Sequence, residues 1–454
     1  MCIALAFIPM MKKRWVTKLK SISTIRCYCE FNRKIHEEDL AHRAGFLTPL
    51  DPRLICSAFV NSCKGQEGLD TPLKQSYMKN IFKLIFTSTF LFFQLAQGES
   101  LSIAEQGYFF VGGEYSQNAQ GQRIRTQQMF VQYQKPALQK YTFPIVMWHG
   151  GGQTGTNFLA TPDGREGWAT YFVRQGFSVY VVDQPARGRS GFFSEVYGKT
   201  RKPNAQAMSD RFTAPKLKGQ YPQAQFHTQW PGAGVMGDPV YDQFFSSQVE
   251  DIEDVNSIEK LNLAAGVALI EKIGPSVLLT HSQSGSFGWL IANARPELVK
   301  GIVAIEPNGP PLYEMTLERN GEDFYKDGPI GRVWGISRLP LTFNPPVQQP
   351  QDLKLLRQSK PDGDNLVKCW VQPQPARELP LLKGKPILIV SSHASYHVPY
   401  DHCTAKFLRD AGVQNTYVRL PDIGIKGNGH MMMLEKNNLE IAQYLSQWIM
   451  SNIK

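Results

Sequence analysis

Ser282 stands where a nucleophile would be expected, in the segment THSQSG between an apolar run and a stretch compatible with a helix. The apolar run covers 277–279 and the helical stretch covers 287–294. A serine on a sharp strand-to-helix turn exposes its hydroxyl for attack on a carbonyl carbon. Such a turn needs small residues two positions to either side, and Thr280 and Ser284 fill those positions. The pattern predicts nucleophilic catalysis by Ser282, although one such pentapeptide is by itself a weak signal.

A histidine and a carboxylate follow the serine in the order that this chemistry requires. A serine hydroxyl needs an imidazole to take its proton, and the imidazole needs a carboxylate to fix its tautomer. His430 is the expected base, because it lies in a glycine-flanked loop between the last predicted strand and the last predicted helix. Glu306 is the favoured acid because it ends the strand that follows the serine unit, which suits the order serine, acid, histidine. Asp401, at the start of a predicted helix, stays open as the alternative acid.

Three consecutive glycines, 150–152, follow the apolar run 143–148. Acyl transfer requires N–H groups aimed at the carbonyl oxygen as it becomes negative, and a glycine loop after a strand can supply them. We expect the backbone N–H groups of Gly151, Gly152 and Gln283 to form this oxyanion hole. A flexible turn is the alternative interpretation of the three glycines.

The elements that must position these residues alternate between apolar strands and helices. Strands are predicted at 107–115, 128–133, 143–148, 177–183, 277–279, 300–305, 386–390 and 417–420. Helices are predicted at 164–175 with Asp163 as its cap, and at 258–273, 287–294, 401–408 and 438–452. The first two strands suggest an antiparallel hairpin. The alternation that follows predicts an α/β protein with a mostly parallel, doubly wound sheet, in which the candidate residues lie beyond the C-terminal ends of strands, where ligands bind.

Two long segments, about 191–251 and 312–383, show no clean periodicity. Connections of this length between sheet elements are uncommon unless they have a function. We interpret them as insertions that cap the site and select its substrate. The polar loop 184–190 is interpreted as part of the rim of the site.

The N-terminal region contains the pattern of an export signal that begins at Met78. A short basic start precedes the apolar run 84–95, and small residues follow at 96 and 98. These are the three regions of a secretory signal peptide. The apolar run is shorter than the ~20 residues that a bilayer span needs. The pattern therefore predicts a cleaved signal peptide rather than a membrane anchor.

This interpretation divides the chain into three parts. Residues 1–77 are expected to be a non-native, disordered upstream extension, and residues 78–98 the signal peptide. Residues 99–454 are then the exported domain, secreted or periplasmic, with no stable membrane span. An oxidising compartment would allow Cys369 and Cys403 to pair, provided that their Cα atoms lie within bridging distance.

The net charge of +10 belongs mostly to the leader. Before residue 99, Lys and Arg number 14 against 7 Asp and Glu, which leaves 35 against 32 in the remainder. A nearly balanced domain gives no argument for nucleic acid or a membrane surface as partner.

Six blocks of the sequence, taken together, resemble a known protein family. They are HGGGQTG at 149–155, TPDGREGW at 161–168, VVDQPARGRS at 181–190, HSQSG at 281–285, IEP at 305–307 and GNGHMMM at 427–433. The set resembles secreted bacterial α/β-hydrolase esterases with a Ser-Glu-His triad, from about residue 108 to the C-terminus. The resemblance implies an α/β-hydrolase fold with Ser282 as nucleophile, Glu306 as acid and His430 as base. An esterase of that family has two adjacent cysteines where this chain has Gly151 and Gly152, so the stiffening that such a pair would give is missing.

These observations predict a serine esterase, a carboxylic-ester hydrolase that acts on a small-molecule ester through an acyl-enzyme. We expect neither a metal nor an organic cofactor, and no nucleic-acid partner. Amide or peptide hydrolysis on the same triad stays open as an alternative, as does a non-catalytic α/β-hydrolase fold used for binding. The set Ser282, Glu306 and His430 argues against the binding protein, which would have no reason to keep all three.

Overall fold

The structure is a computed structural model, and it describes residues 100–317 and 325–454. All of these residues belong to one compact unit, Glu99–Lys454. The predictions made for residues 1–98, an upstream extension and a signal peptide, lie outside the described residues. None of the described helices is both long enough and apolar enough to cross a membrane.

An eight-stranded sheet forms the centre of the unit. Its strands are, in chain order, β1 (Ile103–Gln117), β2 (Arg123–Pro136), β3 (Ile145–Trp148), β4 (Val179–Asp183), β5 (Ser276–His281), β6 (Val299–Ile305), β7 (Ile387–Ser391) and β8 (Thr416–Arg419). Their order in space is β1-β2-β4-β3-β5-β6-β7-β8. β1 pairs antiparallel with β2, and β2 with β4, whereas all the other pairs are parallel. The predicted mostly parallel α/β sheet is confirmed.

Helices cover both faces of the sheet, which explains the continuous apolar runs of its central strands. The principal helices are α1 (Trp168–Gln175), α2 (Val255–Ile273), α3 (Gly285–Ala294), α4 (Asp401–Asp410) and α5 (Asn438–Asn452). One core contains side chains of α2, α3 and α4 with Val146 and Trp148 of β3. The other contains α1 and α5 with Ile145 and Met147 of the same strand. Alternate residues of β3 therefore face opposite cores, as expected for a strand buried on both faces.

The first principal helix begins later than its sequence pattern predicts. Its N-cap is Gly167, and the predicted cap Asp163 instead accepts a hydrogen bond from Nε of Arg165 at 2.6 Å. The N–H of Arg165 donates to Oγ1 of Thr161 at 2.9 Å, and the N–H of Thr161 donates to the carbonyl of Arg165 at 3.1 Å. This closed turn occupies the residues that the prediction had given to the first helical turn.

The two long segments fold into short elements. Between β4 and α2 these are helical turns at Gly188–Ser190, Ser194–Tyr197, Ala205–Met208, Ser209–Thr213, Pro215–Lys218, Pro222–Phe226 and Pro239–Ser246, with a small strand pair, Thr200–Arg201 and Asp251–Ile252. Between β6 and β7 they are the strand pair Leu312–Leu317 and Tyr325–Arg332, the turn Pro350–Leu353, and the pair Leu356–Arg357 and Trp370–Val371. Two further helical turns are Thr156–Leu159 and Leu420–Ile423. A disulfide between Cys369 and Cys403 joins the second segment to α4.

Candidate active site

Ser282 lies at the turn between β5 and α3 with a φ of +55°. A left-handed backbone costs a residue with a side chain on the order of 1–3 kcal/mol, so the surrounding structure must hold it. Oγ of Ser284 accepts a hydrogen bond from the N–H of His281 at 2.8 Å and lies 3.0 Å from the carbonyl of Trp148. The carbonyl of Ser282 accepts from the N–H of Asn308 at 2.7 Å. These bonds fix a sharp turn of the kind that the sequence pattern predicts.

Gly285 allows the loop after β6 to approach this turn. A Cβ atom at Gly285 would lie 2.4 Å from Cβ of Pro307, which is too close for any side chain. Gly285 therefore permits a close contact between α3 and the residues after Glu306.

Glu306 and His430 are hydrogen-bonded to each other in the interior of the protein. Nδ1 of His430 lies 2.6 Å from Oε2 of Glu306, and Oε1 of Glu306 accepts from the N–H of Ser392 at 2.8 Å. The side chains of the pair are 1% and 0% exposed. A carboxylate at Nδ1 holds the proton on that nitrogen and leaves Nε2 with the free electron pair.

Burial and the partner act in opposite directions on both members of this pair. Burial would raise the pKa of Glu306, but the hydrogen bond and positive charge of His430 hold that pKa below its ordinary value. Burial lowers the pKa of His430, and the opposing effect of Glu306 does not restore it to its ordinary value. Glu306 is therefore ionised and His430 uncharged at neutral pH.

Asp401, the alternative acid, belongs to a second histidine pair. Its Oδ1 lies 3.0 Å from Nδ1 of His397, and its Oδ2 accepts from the hydroxyl of Ser391 at 2.5 Å. The ring of His397 stacks on that of His430, with centroids 4.7 Å apart and planes 13° apart. Burial and the charge of Glu306 raise the pKa of Asp401 well above its ordinary value, and burial lowers the pKa of His397 to about 4. The geometry thus places Glu306, the favoured acid, against His430 and directs Asp401 to His397.

The loop that contains His430 is fixed from two directions. Nε2 of His281, the residue before Ser282, donates to the carbonyl of His430 at 3.0 Å. The buried carboxylate of Glu435 accepts from the N–H of Gly429 at 2.9 Å and lies 2.7 Å from Nε2 of His227. His227 belongs to the first long segment, so that segment is attached directly to the histidine loop.

Aromatic side chains from outside the predicted site surround the imidazole of His430. Phe212 of the first long segment stacks on it at 5.2 Å between centroids, and Tyr396 packs against it at 5.0 Å. Sequence reasoning missed both residues. Phe212 lies in a segment without periodicity, and Tyr396 lies in a loop whose course the sequence does not specify, so neither had a signal beyond its residue type.

The glycine loop after β3 lies against the serine turn. A Cβ atom at Gly150 would be 3.1 Å from Cβ of Ser282, and one at Gly151 would be 3.5 Å from Nε2 of Gln283. The N–H of Gly150 is already engaged, since it donates to a side-chain oxygen of Gln153 at 3.2 Å. The structure therefore brings Gly151 beside Gln283, two of the three residues predicted to form the oxyanion hole.

Gly152, the third predicted residue, lies at the boundary with the first long segment. Its carbonyl accepts from the N–H of Val249 at 2.8 Å, and a Cβ atom added to it would lie 3.6 Å from Cε of Met208. Its φ of +68° explains why a glycine occupies this position.

The interpretation of the loop 184–190 as rim is wrong for Arg187, whose side chain is buried. Nη1 of Arg187 donates to the carbonyl of Gly150 at 2.9 Å, and Nη2 donates to Oε1 of Gln283 at 2.8 Å and to Oδ1 of Asp251. Oδ2 of Asp251 accepts in turn from Nε2 of Gln283 at 3.0 Å. A buried cation therefore links the glycine loop to the residue after Ser282. An isolated arginine in a polar loop gives no signal of this in the sequence.

Among the described residues, one group places possible metal ligands close together, namely Cys369, His402 and Cys403. The two sulfurs are bonded to each other, and a disulfide lacks the thiolates that bind metal ions. The cysteine pairing that the sequence left open is thus present in the structure.

Comparisons with known proteins agree with this architecture. A model described as "Alpha/beta hydrolase family" matches residues 145–444. A probable secreted lipase, phiG, of a fungal species (strain ATCC 74256) is 40% identical over 343 residues, which span 75% of this chain and 88% of the relative. A solved structure of a novel bacterial esterase superposes with a TM-score of 0.54 at 24% identity, over 78% of this chain and 98% of that one. The likeness to the solved structure concerns the fold.

Proposed function

This chain belongs to the alpha/beta hydrolase family, and we propose that it hydrolyses carboxylic esters through a covalent acyl-enzyme on Ser282. The fold is that of the family, and a relative at 40% identity is called a probable secreted lipase. The observation that supports the proposal most strongly is the buried 2.6 Å bond between Glu306 and His430, beside a serine on a strained turn.

The proposed first half of the reaction forms the acyl-enzyme. Nε2 of His430 removes the hydroxyl proton of Ser282 as the oxygen attacks the ester carbonyl carbon. Glu306 stabilises the imidazolium through its bond to Nδ1. The bond from carbon to the leaving oxygen then breaks, and the proton on Nε2 passes to that oxygen, so that a neutral alcohol departs.

The second half returns the enzyme to its starting state. Water replaces the alcohol, gives a proton to Nε2 of His430 and attacks the acyl carbon. The bond to Oγ of Ser282 breaks, and Oγ regains the proton from Nε2. A carboxylic acid leaves, and no cofactor enters the proton or electron balance.

The oxyanion of each tetrahedral intermediate would lie between the glycine loop and the short helical turn Ser282–Ser284 that precedes α3. The N–H of Gln283 is at the start of a helical turn, where N–H groups lack a partner within the helix. Gly151 lies beside Gln283, and Gly152 stays in the proposal as a third donor. Arg187, whose charge is paired with Asp251, holds this loop in place through its bonds to the carbonyl of Gly150 and to the side chain of Gln283.

We further propose that the protein is secreted, with Met78 as the start of a signal peptide and Glu99 as the first residue of the exported chain. The name of the fungal relative supports this location. Intact-mass analysis of natively expressed protein would find a chain that begins near Glu99. A chain that retains residues 1–77 would contradict the proposal.

The activity is tested with residues 99–454, a panel of p-nitrophenyl esters of increasing acyl length, and the matching p-nitroanilides. We expect hydrolysis of the esters, no more than weak hydrolysis of the amides, and loss of ester turnover in Ser282→Ala. Ser286→Ala, one turn further along α3, is the matched control and should retain activity. Preferential cleavage of the anilides would favour the amide hydrolase left open by the sequence, and turnover that persists in Ser282→Ala would contradict the mechanism.

A further inference from the structure

Tyr396 is an aromatic side chain to which the proposed mechanism has so far given no role. It lies between β7 and α4 and is mostly buried. Its hydroxyl lies within interaction distance of the Ser282 side chain, and its ring packs at 5.0 Å from that of His430. The same side chain therefore contacts both the proposed nucleophile and the proposed base.

Residues from both long segments hold Tyr396 in this position. The hydroxyl of Tyr325 donates to the backbone carbonyl of Tyr396 at 2.8 Å. The guanidinium carbon of Arg211 lies 5.1 Å from the centre of the Tyr396 ring, and Phe212 packs at 6.0 Å. A ring fixed on several sides can present its hydroxyl with little entropic cost when the substrate binds.

The hydroxyl of Tyr396 remains a donor throughout the working pH range. Burial raises its pKa above the ordinary value, and the charge of Glu306 acts in the same direction against the opposing effect of Arg211. A neutral phenol can donate one hydrogen bond without transferring its proton.

The side of Ser282 on which Tyr396 lies indicates which substrate atom would receive that bond. The glycine loop packs against Cβ of Ser282, whereas Tyr396 packs against His430. The carbonyl oxygen of a substrate would face the glycine loop, and the leaving oxygen would face His430, which protonates it. Once Oγ of Ser282 has bonded to carbon it is a weak acceptor, and the leaving oxygen, which gains negative charge, is a stronger one.

We propose that the Tyr396 hydroxyl donates a hydrogen bond to the leaving alcohol oxygen in the tetrahedral intermediate, as a further catalytic residue of the esterase reaction. This inference rests on the proposed function. Nε2 of His430 supplies the proton that the alcohol keeps, and the Tyr396 proton stays on the phenol. The contribution should be large for leaving groups that become strongly basic alkoxides and small for those that leave as stable phenolates.

The test compares Tyr396→Phe with the unchanged protein on acetate esters whose alcohols range from p-nitrophenol to ethanol. Loss of a hydrogen bond to a developing alkoxide should lower kcat/KM for ethyl acetate on the order of 10- to 100-fold, and for p-nitrophenyl acetate only about twofold. Tyr400→Phe, which removes a hydroxyl from a ring that packs against Tyr396, is the control and should show no dependence on the leaving group. An equal loss for every ester, or no loss, would overturn the inference, because a merely structural role would not distinguish leaving groups.

A second variant covers the case in which Tyr396→Phe does not fold. Replacement of Tyr396 by 3,5-difluorotyrosine keeps the shape of the ring and makes the hydroxyl a stronger donor. It should raise kcat/KM for alkyl esters relative to p-nitrophenyl esters, and an unchanged ratio would overturn the inference. If the unchanged protein hydrolyses no ester, the proposed function itself fails. If Ser282-dependent turnover is present but the ratio does not change, only the role of Tyr396 fails.

Discussion

Exchange of Glu306 for glutamine tests the proposed acid, because the structure predicts which way the new amide must face. Oε1 of Glu306 accepts from the N–H of Ser392 at 2.8 Å, so the oxygen of a glutamine has to stay on that side. The amide NH₂ group then faces Nδ1 of His430, where the carboxylate oxygen had been at 2.6 Å. Nδ1 must now accept a hydrogen bond, which moves the imidazole proton to Nε2 and removes the base.

The expected loss is large because two effects combine. The imidazole is held in the wrong tautomer, and the negative charge that stabilised the imidazolium is gone. The equivalent change of aspartate to asparagine in serine proteases lowers kcat by about 10⁴-fold, which corresponds to about 5 kcal/mol of transition-state stabilisation. We expect a loss of similar size in Glu306→Gln, with little change in the stability of the fold, since the variant keeps the bond to Ser392.

Asp401→Asn is the matched control, since Asp401 is a buried carboxyl group bonded to His397 rather than to His430. It should keep kcat within about tenfold, because the proposed proton transfers do not pass through it. Both variants are assayed for kcat and KM on p-nitrophenyl acetate, with thermal unfolding measured in parallel. A folded Glu306→Gln protein that keeps its activity while Asp401→Asn loses it would refute the assignment of the acid.

Three further predictions concern pH, the buried cation and the disulfide. Because burial lowers the pKa of His430, its uncharged base form persists to lower pH. We therefore expect kcat/KM to rise with pH to a plateau, with a midpoint below about 6.5, and a midpoint above that value would contradict the lowered pKa. Arg187→Met removes the buried charged partner of Asp251 and should lower the free energy of unfolding in urea by about 3–5 kcal/mol. Arg201 is the exposed partner of the same carboxylate, so Arg201→Met should lower it by no more than about 1 kcal/mol. Replacing the bonded cysteines, which are 34 residues apart, with serine should lower the free energy of unfolding by about 4 kcal/mol. An unchanged urea midpoint would show that the disulfide is not formed in solution.

The sheet and the positions of Ser282, Glu306 and His430 could be predicted because buried parallel strands have a distinctive sequence. Ser282 and Glu306 directly follow apolar runs, and such runs end at the same edge of the sheet, whereas His430 was placed by its glycine-flanked loop between the last strand and the last helix. The choice between Glu306 and Asp401 could be favoured but not decided. An acid at the start of α4 has a structural explanation from the sequence alone, and its bond to His397 becomes visible only in three dimensions.

The surroundings of these residues could not be predicted, because they depend on contacts between distant parts of the chain. Arg187 looked like a solvated loop residue, yet Asp251, 64 positions away, neutralises it in the interior. Phe212 lies in a segment without periodicity and Tyr396 in the loop between β7 and α4, so nothing in the sequence indicated which face they present. The same long-range contacts that escaped prediction are those from which the role of Tyr396 is inferred.

The central claim is that Ser282 is the nucleophile of an acyl-enzyme, and covalent labelling tests it most directly. Residues 99–454 are treated with a fluorophosphonate probe, digested, and analysed by mass spectrometry of the peptide that contains 275–295. The account predicts one adduct, on Ser282, that is absent from Ser282→Ala and is formed much more slowly by Glu306→Gln. Labelling of Ser284 or Ser286 instead, or no labelling of a folded protein that hydrolyses esters, would contradict it.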